Sequence, residues 1–139
     1  MVETDVRWVG SPGQTYGLIF GLPEGANNTF NQFYRFDINT VSQEFRLSYF
    51  NGFIFTDIVP ATFSSMINSG TASNHLKVIH NGPQITLEIN GTELGTFSDA
   101  TLTGSTNTGL VSIPNNDSPT SDARFDNFLV SGSLGSNAE

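Results

Sequence analysis

No segment of the chain repeats its apolar residues at a helical spacing over ten or more positions. Short runs rich in Val, Ile, Phe, Thr and Tyr instead recur between clusters of Gly, Pro, Asn and Ser, the pattern of strands punctuated by turns. The runs lie at 2–9, 15–22, 31–39, 43–50, 53–59, 74–80, 84–89, 92–97, 107–113 and 123–131. Only 60–73, from Pro60 onward, has room for a short helix or an ordered loop. Strands this short and this evenly spaced predict an all-β chain, a two-sheet antiparallel sandwich or jelly roll. No longer internal repeat suggests a propeller or solenoid.

The 139 residues are enough for one domain, and such a domain buries a core without disulfide or metal support. There is no Cys, which excludes thiol catalysis and cysteine-ligated zinc. Five Lys and Arg against 13 Asp and Glu give a formal charge of −8. Nucleic acid and anionic membrane surfaces need a basic footprint, so neither is an expected partner. No apolar run approaches the ~20 residues of a membrane-spanning helix. The domain is expected over 1–131, with 132–139 a Gly- and Ser-rich tail or linker.

Two Asn-Gly pairs mark hairpins, because a tight primed turn needs positive φ at its central residues. With Asn51-Gly52 as a two-residue turn, Phe50 faces Phe53, Ser48 faces Phe55 and Arg46 faces Asp57. With Asn90-Gly91 as the turn, Ile89 faces Thr92, Glu88 faces Glu93 and Leu87 faces Leu94. Ile85, Leu87, Ile89 and Leu94 then share the core side. Asn81-Gly82-Pro83 is a third turn, and Trp8, alternating with Val6, belongs in the core.

Four of the five cations stand two residues from an acid, in Asp5-x-Arg7, Arg35-x-Asp37, Glu44-x-Arg46 and Arg124-x-Asp126. In a strand that spacing puts both charges on one face. Such faces serve either as solvated surfaces laced with cross-strand ion pairs or as polar floors that hydrogen-bond a ligand. Phe50, Phe53 and Phe55 fall on the same outward face as Arg46 and Asp57. They would stack on a sugar ring, or be covered by a loop or a neighbouring domain.

Other constellations are weaker. Glu88 and Glu93 would face each other at about the separation of the carboxyls in a retaining glycosidase, ~5 Å. Nothing around them suggests a general acid, however. His75 and His80 lie on opposite strand faces, without the spacing of a zinc site or a catalytic triad. Asn115-Asn116-Asp117-Ser118 with Asp122 is oxygen-rich, either a calcium-binding loop or an ordinary polar one. Asn27-Asn28-Thr29, Asn90-Gly91-Thr92 and Asn116-Asp117-Ser118 match glycosylation sequons.

The chain resembles the concanavalin A-like lectin/glucanase superfamily, especially its bacterial exported modules. The resemblance lies in Asp5-Val6-Arg7-Trp8-Val9 leading to Tyr16-Gly17-Leu18-Ile19-Phe20-Gly21, in Phe33-Tyr34-Arg35-Phe36-Asp37-Ile38, and in Asn74-His75-Leu76-Lys77-Val78-Ile79 running on through Ile85–Gly91. Thr108-Gly109-Leu110-Val111 and Ala123-Arg124-Phe125-Asp126-Asn127-Phe128-Leu129-Val130 follow in the same order. It implies two curved antiparallel sheets with a carbohydrate-binding concave face. Laminarinase-like members carry Glu-x-Asp-x-x-Glu on one strand; here the nearest spacing is Glu88-x-Asn90-x-x-Glu93, with Asn for Asp and a turn through its middle. That departure argues against hydrolysis. Related glucanases hold a structural calcium through an aspartate of the closing strand, which makes Asp126 the metal candidate. Members also usually carry one or two strands ahead of the segment matching Val2–Val9. Without them a sheet edge is exposed and invites a homo-oligomer by edge pairing.

These readings lead to a non-catalytic, lectin-like module of an exported, extracellular or cell-surface protein. It would bind glycan or polysaccharide through Arg7, Arg35 and Arg46 as donors and Asp37 and Asp57 as acceptors, beside Phe53 and Phe55. The rival is an adhesion or assembly sandwich making protein–protein contacts, with a glycoside hydrolase a distant third.

Overall fold

The computed structural model describes residues 1–23, 32–103, 107–115 and 121–132. Ten strands follow one another: β1 (Val2–Val9), β2 (Thr15–Leu22), β3 (Phe33–Asn39), β4 (Glu44–Phe50), β5 (Phe55–Phe63), β6 (Asn74–Asn81), β7 (Gln84–Ile89), β8 (Thr92–Ser98), β9 (Asn107–Ile113) and β10 (Asp122–Val130). They form two antiparallel five-stranded sheets, ordered β10-β1-β6-β7-β8 and β5-β4-β3-β2-β9. This is the all-β jelly-roll sandwich that the strand pattern predicts.

Alternation builds the core. Val2, Val6, Trp8, Leu76, Val78, Ile85, Leu87 and Ile89 face inward from the first sheet, and Tyr16, Leu18, Phe20, Tyr34, Phe36, Ile38, Phe45 and Leu47 from the second. Thr4 breaks the apolar alternation of β1, and its hydroxyl donates to the Asp126 carbonyl at 2.9 Å, so the buried oxygen is satisfied. Two glycines are required by close approach. A Cβ on Gly13 would meet the Trp8 ring at 2.4 Å, and one on Gly17 would meet the Phe36 carbonyl oxygen at 2.0 Å.

Three local features depart from expectation. The loop after β4 has four residues, not two: Asn51 Oδ1 accepts from the Phe53 and Ile54 amides at 2.8 and 3.0 Å, and Phe50 pairs with Phe55. The register moves by two, so face assignments survive; Phe55 and Asp57 stay on the side of Phe50 and Ser48, while Phe53 leaves the strand. β5 runs through Pro60 to Phe63, where a helix or loop is the sequence expectation. An edge strand tolerates proline because the missing N–H points away from its neighbour. In the Asn90-Gly91 hairpin, Ile89 pairs with Thr92 and Glu88 with Glu93, but a bulge then sets Leu87 opposite Gly95 rather than Leu94.

β1 is flanked on both sides by β6 and β10, so no edge opens there. The outermost strands are β10 and β8 in one sheet and β5 and β9 in the other. The sequons at Asn27 and Asn116, the start of the 31–39 run, most of the Asn115–Asp122 loop and most of the 132–139 tail lie outside the described residues. Among the described residues no helix is long and apolar enough to cross a membrane.

Candidate functional site

The outer face of the second sheet carries an unusual set of side chains in cross-strand rows. Phe55, Phe50 and Phe33 form the first row. Asp57, Ser48, Arg35, Ile19 and Gly109 form the second, and Arg46, Asp37, Gly17 and Val111 the third. The aromatic row is a true cluster: Phe50 lies 4.7 Å from Phe55 and 5.1 Å from Phe33, centroid to centroid. The Arg35 guanidinium sits 4.0 Å above the Phe55 ring, a cation–π contact tying the first row to the second.

An outward sheet face normally keeps its charges wet. Here Asp37 is 2% exposed and Arg35 8%. Arg35 Nε lies 2.7 Å from Asp37 Oδ2, with its N–H turned off the line of a hydrogen bond, while Arg46 Nη2 donates to the same oxygen at 3.4 Å. Burial pushes the Asp37 carboxyl above the usual range even with two arginines beside it, and burial pulls Arg35 downward. Both directions say that desolvation of Arg35 and Asp37 exceeds the attraction holding them, so the place of this pair on the face is not explained by stability. Ser48 Oγ and Arg46 Nε are buried in the same rows without a hydrogen-bond partner. Beside Asp37 and Arg46 lies a hollow of about 110 Å³, lined by Gln14, Thr15, Asn39, Glu44, Phe45 and Ala61 as well. Thr15 Oγ1 there is also buried and unpartnered.

Arg35, Asp37, Arg46, Phe55 and Asp57 thus come together as the sequence predicts, whereas Phe53 stands 74% exposed on the loop beyond Phe55. Arg7 does not join them. It is exposed on the other sheet, directly opposite Arg124, because β1 and β2 belong to different layers. Of the four acid–x–Arg pairs only Arg35–Asp37 forms as such. Asp5 turns to His75 and Asn127, Arg46 bonds Asp37 rather than Glu44, and Arg124 bonds Asp122 at 3.0 Å rather than Asp126. Ser48, Thr15 and the hollow escape sequence reading, since small hydroxyls in a strand carry no signal until register sets them beside charges.

On the outer face of the first sheet, His75 is clamped between Asp5 Oδ1 at 2.7 Å and Glu3 Oε1 at 2.8 Å. Burial opposes its charge, but these hydrogen bonds outweigh it and hold the imidazolium above its usual range. The β1–β6 pairing, which sets Asp5 opposite His75, is what the sequence conceals. Asp126 is exposed, and its Oδ1 accepts from the Asn127 amide, a residue at positive φ. Among the described residues no three His, Asp or Glu side chains gather to hold a metal ion. Glu88 and Glu93 do face each other, while Asn90 is committed to structure. Its Oδ1 accepts from the His75 amide, and its Nδ2 donates to Met66 and Asn74. His80, on the opposite strand face from His75 as expected, lies edge-on to Phe20 and Tyr34 and lines a cavity of about 440 Å³.

No family model matches the sequence, and no curated protein does. Solved structures match the fold. The carbohydrate-binding module CBM66 from Bacillus subtilis aligns over 91% of this chain and 71% of its own, with 18% identity and a TM-score of 0.69. Sheep galectin-11, solved with glycerol, aligns over 88% of this chain and 87% of its own, with 8% identity and a TM-score of 0.56. The chain shares the β-sandwich fold of these two proteins.

Proposed function

We propose that the chain is a non-catalytic carbohydrate-binding module that holds glycan on the outer face of the β5-β4-β3-β2-β9 sheet. The observation that carries this reading is the buried Arg35–Asp37 pair, with the part-exposed Arg46 on the same carboxylate, beside the Phe33–Phe50–Phe55 cluster: preformed donors and acceptors next to an aromatic wall. Arg35 is held rigid by Asp37 on one side and Phe55 below, so little side-chain freedom is lost on binding. Arg46, a third exposed, supplies donors, and Asp57 at the sheet edge supplies acceptors. Likeness of fold to a named carbohydrate-binding module supports the reading. We place the module in an exported protein of the concanavalin A-like type, acting outside the cell or at its surface.

A glycan array tests the proposal, with Phe55→Ala and Arg46→Ala variants beside the parent chain. Selective retention of one sugar class, lost in both variants while their melts stay cooperative, is the expected result. A blank array from folded protein would sink it. A second reading, an assembly sandwich in contact with other proteins or with further copies through a sheet edge, rests on the exposed apolar side chains of Phe53, Ile54 and Phe63 along β5 and its preceding loop.

A further inference from the structure

Resting on the glycan reading, we infer that the hollow between Thr15, Asp37, Glu44 and Arg46 receives two adjacent hydroxyls of an uncharged sugar residue, which makes the ligands neutral rather than acidic glycans. Six of its eight lining residues are polar: Gln14, Thr15, Asp37, Asn39, Glu44 and Arg46. Two of them hold buried atoms with no partner in the protein, Thr15 Oγ1 and Arg46 Nε, and Thr15 is only 6% exposed. Buried polar atoms are nearly always paired, so two orphans on residues lining one hollow point to a group that arrives from outside, met once the Thr15 hydroxyl and the Arg46 side chain turn toward it.

The chemistry of that group follows from the inventory. Carboxylates only accept hydrogen bonds, the Arg46 Nε–H only donates, and the threonine hydroxyl does either. A ligand hydroxyl donates to Asp37 or Glu44 and at the same time accepts from Arg46 or Thr15. A ligand carboxylate or sulfate only accepts, so it has nothing to give Asp37 or Glu44 and stands beside two negative charges. Asp37 already shares the positive charge of Arg35 and Arg46, and the whole chain carries −8, which repels acidic polymers at a distance. A ligand ammonium would suit the acids but leave Arg46 Nε unpaired. Size agrees: at about 30 Å³ per water, 110 Å³ holds roughly four waters, the edge of one ring and not a disaccharide. From Asp37 back to Phe33 is four residues of strand, about 13 Å at ~3.3 Å each, so hollow and aromatic cluster contact different parts of one ligand.

Affinity electrophoresis through gels containing neutral polysaccharides, or uronate-bearing or sulfated ones, tests the inference with Thr15→Val, Glu44→Gln and Phe55→Ala variants. The expected result is retardation by neutral polymers only, weakened about 5–10-fold by Thr15→Val, with Glu44→Gln weakening neutral binding as well. If Thr15→Val does not fold, Glu44→Gln carries the test alone. Retardation by acidic polymers that Phe55→Ala abolishes would overturn the neutral-ligand inference and leave the glycan reading standing. Neutral binding untouched by either hollow variant would overturn the hollow's role. No retardation by any polymer, with a blank array, would remove the glycan reading itself and this inference with it.

Discussion

Replacing Asp37 by Asn keeps its shape and removes the one negative charge between two arginines. Arg35 is then left almost fully buried with only Asp57, across Ser48 in its row, for a counter-charge, whereas Arg46 reaches enough water to look after itself. Breaking a buried pair by deleting one partner costs about 3–5 kcal/mol. The raised Asp37 carboxyl, whose own desolvation is relieved by the change, argues for the low end, about 3 kcal/mol. A domain of this size loses roughly 3–5 °C per kcal/mol, so the melt should fall by about 10–15 °C. The companion variant, Arg35→Met with Asp37→Leu, removes both charges. It should melt at or above the parent, by up to ~4 kcal/mol, while glycan retention disappears. Urea and thermal unfolding followed by circular dichroism read both. An Asn variant within about 1 kcal/mol of the parent would refute the buried-pair argument, and a double variant less stable than the parent would refute the claim that the Arg35–Asp37 pair sits on the face at a cost to stability.

Other consequences can be checked more briefly. Leu87→Ala opens the centre of the core and should cost about 2–5 kcal/mol in urea unfolding. Tyr34→Phe leaves the Leu102 amide without its acceptor and takes from Asp99 the phenol donor, leaving it the Thr101 amide, costing about 1–3 kcal/mol; in the parent, burial first and the Asp99 hydrogen bond second push the Tyr34 phenol up to about 12, so alkaline spectrophotometric titration should find it ionising only there. His75 has a raised folded-state pKa, so its stabilisation is fully present below the unfolded value of ~6.5 and fades as pH rises through the folded value. The melting gap between the parent and His75→Gln should be wider near pH 5.5 than near pH 9, and an equal gap at both would contradict the carboxylate clamp. Asn90→Ala strips three side-chain hydrogen bonds from the hairpin and should cost about 1–3 kcal/mol, read from the same unfolding curves.

Strands were the most legible part of the sequence, because period-2 alternation and turn chemistry are local. Every element began and ended within a few residues of its expected place, Phe63 at the end of β5 excepted. There Pro60 reads as a breaker, and only edge position, a property of the whole sheet, makes it harmless. The Asn51 loop is two residues longer than its sequence suggests because Phe53 and Ile54 look like strand, while the Asn51 side chain closes a wider turn. A shift of two leaves parity intact, which is why Phe55 and Asp57 still fall beside Arg46. Arg7 departs from its expected place for a deeper reason: face parity is local, but layer membership depends on which strands pair across the chain. The His75 clamp and the Thr15 hollow were hidden for the same reason, since each needs register between distant strands.

The central claim is that glycan lies on the outer face of the second sheet. Amide and arginine side-chain NMR shifts, recorded while titrating the neutral sugar selected by the array, test it most directly. The account predicts perturbations at Thr15, Arg35, Asp37, Arg46, Ser48 and Phe55 that saturate together, with Arg7 and Arg124 on the opposite sheet unmoved. Saturating shifts centred on Arg7, Asp5 and Arg124, or on the His80 cavity, with the Arg35–Asp37–Arg46 trio silent, would contradict it.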